Sequence, residues 1–160
     1  MIPPDLNELI QSGISVLVGT RSDRLVPECT RGMAARVEDD GTEMTVFLPI
    51  ATADQTITNL RDNGRIAVCF SRPCDHRSIQ VKGGTIAIGS ARDEDREHVL
   101  RYRIALAETW GVIGIPPRVT LRMNHWPCHA VRFRVTAIFD QTPGPGAGGA
   151  LAPTHTEAHR

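Results

Sequence analysis

The sequence of 160 residues is short of several things, and each shortage excludes a class of protein. It has no excess charge of either sign, since 18 Lys plus Arg face 18 Asp plus Glu and the pI is near 7.0. Nucleic acids and anionic membranes are held by a positive excess, so neither is expected as the main partner. Its four cysteines, Cys29, Cys69, Cys74 and Cys128, include no C-x-x-C pair, which removes the zinc knuckle and the dithiol redox site. No run approaches the roughly 20 apolar residues that cross a bilayer. The N-terminus, Met1-Ile-Pro-Pro-Asp-Leu6, lacks the basic and apolar regions of a secretory leader. Lysine is nearly missing, because 17 of the 18 cations are Arg and only Lys82 is Lys, a skew that reads as codon bias. A cytoplasmic protein with buried free thiols is expected.

What is present is 41% apolar residues in a chain of one-domain length, enough for a core without disulfides or a structural metal. Leu6, Leu9 and Ile10 follow Pro3-Pro4 at helical spacing, and Gly13 supplies the stop. Ile14–Thr20 reads as a strand. Arg21–Arg24 reads as a turn, and Leu25–Val37 as one long bent strand interrupted by Pro27 and Gly32. After Asp39-Asp40-Gly41, Met44, Val46 and Leu48 alternate with Thr45 and Phe47 up to Pro49, completing a three-stranded meander. Thr52-Ala-Asp-Gln55 has the form of a capping box, opening a helix that Asn63-Gly64 ends. Arg65–Ser71 and Ser78–Ser90 are the next strands, with a bulge expected at Gly83-Gly84. Asp93-Glu-Asp opens a second helix carrying Val99, Tyr102, Leu106 and Trp110 on one stripe. Pro116-Pro117 starts a short helix, and Cys128–Phe139 alternates as the last strand. Residues 142–160 form a Gly/Pro/Ala tail, expected to be mobile unless a partner holds it, after a domain spanning 1–141. The count is six strands and two main helices, an α+β, mainly β, antiparallel barrel or sandwich.

Nothing in the chain matches a phosphate-binding G-x-x-x-x-G-K-[ST], an H-E-x-x-H or a G-x-S-x-G. Gly144-Pro-Gly-Ala-Gly-Gly149 has the G-x-G-x-x-G form but no room after it for a βαβ unit. Cys74-Asp-His76 and His125-Trp-Pro-Cys-His129 gather metal-ligating types without a known finger spacing, and no metal site is assigned. The local signal is basic. Arg61, Arg65, Arg72, Arg77 and Lys82 face only Asp62 and Asp75, while acids concentrate in Glu38–Glu43 and Asp93–Glu97. With Arg31 and Arg36 on the second strand, such cations at a barrel rim beside the Thr52 helix start would suit a monophosphate.

The segments I-S-V-L-V-G-T-R, C-T-R-G-M-A-A-R, M-T-V-F-L-P, T-I-T-N-L-R-D-N-G-R-I-A-V-C-F and H-R-S-I-Q-V-K-G occur in the order of the FMN-binding split-barrel family typified by pyridoxamine 5'-phosphate oxidase. The chain resembles that family from about Leu9 to Phe139. The resemblance implies a six-stranded antiparallel split β-barrel with flanking helices. It also implies a homodimer with cofactor sites at the interface and hydride transfer at the flavin N5 of FMN to or from a small-molecule substrate. Other members of the family use F420 or haem, and some have no known reaction. Position by position, Arg31 and Arg36 match cations that reach the FMN phosphate or ring, and Met33 and Ala34 match backbone facing the isoalloxazine. Pro49, Ile50 and Thr52, with Thr56 in the helix start, match the ribityl and phosphate region. Ser78 and Gln80 match the flavin edge, and Lys82 ends that strand. The family's Ser-Arg-Lys at the helix start is replaced by Asp54-Gln55-Thr56, which puts a carboxylate where two cations are usual. The C-terminal Arg-x-His is also missing. A vitamin B6 phosphate oxidase is therefore not expected. A haem-binding split barrel, with His76 or His129 as ligand, and an F420-dependent reductase are the alternatives.

Overall fold

The structure, a computed structural model, describes residues 1–152. The elements are α1 (Pro4–Gln11), β1 (Ser15–Arg21), β2 (Pro27–Gly32), β3 (Ala34–Val37) and β4 (Glu43–Pro49). A 3₁₀ turn (Ile50–Thr52), α2 (Asp54–Asn63), β5 (Arg65–Ser71), β6 (Ser78–Ser90) and α3 (Asp93–Val112) come next. The series ends with α4 (Pro117–Thr120), β7 (Cys128–Asp140) and β8 (Ala150–Ala152). One antiparallel sheet runs β2-β1-β5-β6-β7-β4-β3, with β8 added to β7. No helix among the described residues is long and apolar enough to cross a membrane.

The sheet has eight strands, not the six expected. One difference is the segment expected to be a single bent strand. It divides at Gly32-Met33 into β2 and β3, which lie at opposite ends of the sheet order, so the expected meander is two separate hairpins. At the crossing, the Met33 amide donates to the Phe47 carbonyl at 2.9 Å, curling the two edges towards each other. A Cβ on Gly32 would lie 2.7 Å from Val16 Cγ1 and 3.2 Å from Val46 Cγ2, so the chain passes through the core only as glycine. The other difference is β8. The Asp140 carboxylate accepts the Thr142 amide at 2.7 Å, the Gly148 amide donates to the Asp140 carbonyl at 2.7 Å, and the chain returns along β7. Residues 142–152 are thus tied to the barrel, contrary to the expectation of a mobile tail. The same turn uses amides of the G-x-G-x-x-G segment internally. The rest of the tail, with His155 and His159, lies outside the described residues.

The core is lined by Ile14, Val16, Val18, Met44, Val46, Phe70, Val81 and Phe133, and α1 adds Leu6, Leu9 and Ile10. β4 is buried along its whole length rather than on alternate residues, because β3, β7 and α-helical segments enclose it. The expected capping box is absent. Thr52 belongs to the 3₁₀ turn and its carbonyl accepts the Thr30 hydroxyl at 3.0 Å, so Ala53, with no side-chain cap, precedes α2. Gly64, at φ 66°, ends that helix as expected. The bulge appears between Lys82 and Gly83, where a Cβ would run into the Arg134 carbonyl and the Phe133 ring. Burial of the thiols holds for Cys128 alone. Cys29 and Cys74 are exposed and Cys69 is half-buried, because Cys29 and Cys69 fall on the solvent side of the sheet and Cys74 in the β5–β6 turn.

Candidate functional site

Alternation along β1, β5 and the start of β6 puts Val16, Val18, Ile66, Val68, Ile79 and Val81 inward. The opposite residues form an outward face. The register aligns them in rows. Arg31, Leu17, Cys69, Gln80 and Phe139 are lateral neighbours across β2, β1, β5, β6 and β7. Cys29, Gly19, Ala67, Lys82 and Ala137 form the next row, and Ser15, Ser71 and Ser78 the one before. The result is a shelf of small and apolar side chains, with Leu17 39% exposed in the middle, bordered by polar groups. Four residues proposed from sequence, Arg31, Ser78, Gln80 and Lys82, share this face.

At one end of the shelf a groove of about 490 Å³ is lined by Gly19, Thr20, Arg21, Arg65, Ala67, Lys82 and Thr136. Its size falls within the range of small-molecule sites. Arg21 and Arg65 lie two residues beyond the Gly19–Ala67 pair on β1 and β5, and Lys82 is opposite Ala67. Among the described residues, none of these three cations has a carboxylate within ion-pair distance. Arg21 Nη1 donates to the Ser22 carbonyl at 3.0 Å, and the Lys82 ammonium lies 4.9 Å from the Phe139 ring centre. Three like charges around one concavity repel one another unless an anion joins them.

The basic cluster expected at a single rim divides. Arg72 and Arg77, at the opposite end of β5 and β6, are committed. Arg72 grips Asp75 through two nitrogens and holds that carboxyl at about 2, and Arg77 pairs with Asp5 at 3.5 Å. Arg31 and Arg36, expected on one strand, stand on β2 and β3 and do not converge. Arg36 Nη1 donates to Asp95 Oδ1 at 2.9 Å, whereas Arg31 lies against Trp110. Asp95 and Trp110 are 15 residues apart on α3, about 22 Å along the helix axis. Burial raises the Asp95 carboxyl, but hydrogen bonds from Arg36 and the Arg92 amide outweigh it and leave the carboxyl below its ordinary value. Beside it, burial lowers the His98 imidazole, whose Nε2 is 3.1 Å from the Ala35 carbonyl. That end of α3 is a latch onto β3.

Met33, Ala34, Pro49, Ile50, Thr52 and Thr56 form a second set around the crossing and the start of α2. Met33 and Ala34 are fully buried, the Ile50 amide donates to the Pro127 carbonyl at 2.9 Å, and Thr56 is buried with no hydrogen-bond partner for its hydroxyl among the described residues. Met33, Ala34, Pro49 and Thr56 are buried, Ile50 is half-buried and Thr52 is exposed, and none of the six lies in the rows of the shelf. His76 and His129 sit at opposite ends of β6, since His76 precedes Ser78 and His129 pairs with Ser90, roughly 40 Å apart along the strand. No group of three metal-ligating side chains occurs among the described residues. Sequence reading missed Arg21, Gly19, Leu17, Thr136 and Trp110 as site residues. The alternation of β1 could have placed Leu17, Gly19 and Arg21 on one face. Trp110 is brought there only by the path of α3.

No family model matches the chain, and no curated protein is similar to it in sequence. Solved structures are similar to it in fold. HupZ of Group A Streptococcus matches with TM-score 0.58 and 22% identity over 92% of this chain and 100% of its own. An FMN-binding protein from Syntrophomonas wolfei matches with TM-score 0.55 and 16% identity, covering 84% and 82% of the two chains. A protein assigned as a pyridoxamine 5'-phosphate oxidase from Lactobacillus delbrueckii matches with TM-score 0.56 and 10% identity, covering 86% and 93%. An F420 reductase has TM-score 0.53 and 16% identity, covering 86% and 98%. With its curled antiparallel sheet and β2–β3 crossing, this chain has the split-barrel fold of the pyridoxamine 5'-phosphate oxidase-like proteins.

Proposed function

We propose that this chain binds FMN on the outward face of β2-β1-β5-β6 and serves as a flavin-dependent oxidoreductase of small molecules. It works as a homodimer in the cytoplasm, where its unpaired thiols stay reduced. One observation carries the reading: Arg21, Arg65 and Lys82 converge on a groove with no carboxylate partner among the described residues, at the end of an open apolar shelf. The three cations bind the phosphate, with Arg supplying a fork and Lys a point charge. Leu17, Gly19, Ala67 and Cys69 offer a flat surface that a planar ring can cover, and the Gln80 amide and Ser78 hydroxyl border it. Bound FMN supplies hydride exchange at N5, and the protein contributes orientation and electrostatics. A second copy laid on the shelf would cover Leu17 and exclude water from the ring. Arg36 has no part in this reading, because its guanidinium is committed to Asp95.

Asp54 in the first turn of α2 puts a carboxylate where vitamin B6 phosphate oxidases carry cations, so that substrate is not proposed. His76 and His129 lie at opposite ends of β6, so in the haem alternative one or the other would be the ligand within a chain and not both. The reading is tested by the visible spectrum of the purified protein and by FMN titration read as fluorescence quenching. FMN is expected to bind with Kd below about 10 μM, and Arg65→Gln and Lys82→Gln to weaken it about tenfold each. No uptake of FMN, or uptake indifferent to both substitutions, would overturn the reading. Tighter binding of F420 than of FMN would transfer it to the deazaflavin.

A further inference from the structure

Resting on that flavin reading, we propose that Arg31 and Trp110 form the substrate end of the same shelf, and that the substrate is a small organic carboxylate with a planar body. Arg31 is opposite Leu17, four residues and about 13 Å along β1 from Arg21 at the groove that takes the phosphate. Two anions on one shelf require a cation each, and Arg31 is the cation at the far end.

Its guanidinium is already oriented. Nη1 donates to the Ser15 hydroxyl at 2.9 Å, and the central carbon stands 5.1 Å from the centre of the Trp110 ring. Among the described residues it has no carboxylate partner, unlike Arg36, Arg72, Arg77, Arg132 and Arg134. With one face covered by indole, a ligand meets its edge in the plane of the fork, the geometry that suits a carboxylate. The side chain is half-buried, which strengthens a charge-assisted bond relative to open water.

A second polar atom on α3 is also without a partner. Tyr102 is two turns before Trp110 on the buried stripe of α3 and 4% exposed, and its hydroxyl makes no hydrogen bond among the described residues. Burial raises that phenol, and the Arg31 charge acts on it in the opposite direction. The phenol thus stays protonated, a donor on the same helix as Trp110. Ser71 and Ser78, whose hydroxyls are 3.0 Å apart in the row that begins at Ser15, extend the polar border. Leu17 and Cys69 lie between this end and the groove, so with the isoalloxazine covering them an apolar planar body attached to the carboxylate stacks on the exposed face of the flavin ring.

Benzoate is the probe, with inorganic phosphate and chloride at equal ionic strength beside it. In FMN-loaded Trp126→Phe protein, where Trp110 is the remaining indole, benzoate is expected to change Trp110 emission and shift the flavin visible band saturably. Arg31→Met should weaken benzoate at least about tenfold and more than it weakens FMN, and Arg31→Lys should fall between. If Arg31→Met does not fold by far-ultraviolet circular dichroism, Trp110→Leu replaces it with the flavin band as readout. The proposal is overturned by an unsaturable response, by an equal response to phosphate or chloride, by an unchanged response in Arg31→Met, or by parallel loss of FMN. If FMN itself fails to bind, the flavin reading falls. Benzoate titration of the FMN-free protein, read through Trp110, then still decides whether Arg31 holds a carboxylate.

Discussion

Apart from Arg72 and Arg77 in the β5–β6 turn, the two halves of the sheet treat their arginines in opposite ways. On the β3-β4-β7 half, Glu43 is held by Arg132 at 2.7 Å and Arg134 at 3.0 Å, and Arg36 is fixed by Asp95. Glu43 and Asp95 have side chains only 12% and 4% exposed, so these ion pairs hold strands and α3 in place. On the β2-β1-β5-β6 half, Arg21, Arg31, Arg65 and Lys82 meet no carboxylate among the described residues, around an open apolar shelf. The same residue type is structural where an acid faces it and available to a ligand where none does. Net charge near zero hides this division.

The largest way to break the comparison is at the seam between the halves, where β6 bulges over β7. Gly83→Val would drive a side chain into the Arg134 carbonyl and the Phe133 ring, and should cost more than about 3 kcal/mol in urea unfolding. A smaller effect comes from the latched half. Asp95→Asn removes the closer of the two carboxylates that hold Arg36, leaving the Glu38 contact at 3.7 Å, and should cost about 2 kcal/mol at neutral pH, read as a fall in Tm. The pH dependence has a definite sign. Asp95 is held below its ordinary 3.8, so its contribution is present above that value and is lost as pH falls through the lower, folded-state value. The wild-type protein should therefore lose more stability than Asp95→Asn between about pH 4 and pH 2, measured by thermal melts in acid. The smallest expected effect sharpens the contrast. Lys82→Gln should change stability by less than about 0.5 kcal/mol, because no ion pair is removed, although FMN affinity falls.

Much of the fold was legible because local patterns carried it. The alternation in Arg65–Ser71, the Gly64 stop and the Val99-Tyr102-Leu106 stripe each correspond to one element. Thr52 misled, since its residue type and spacing fit a cap while the backbone there was taken by a 3₁₀ turn and the Thr30 hydroxyl. The Leu25–Val37 run misled for another reason. Extended backbone on both sides of Gly32 looks continuous in sequence, and nothing local states that its two parts pair with different neighbours. Of the candidate site, Lys82, Gln80, Ser78 and Arg31 could be named from their strands, whereas their convergence with Arg21 and Trp110 depended on register and on the course of α3.

The sequence by itself determined the periodicities, and hence the strands and helices, and it determined that any binding charge must be local because the total is balanced. Only the tertiary structure decided which arginines are neutralised. An ion pair such as Arg36–Asp95 joins residues 59 apart in the chain, and its strength depends on distance and burial, neither of which a one-dimensional pattern contains.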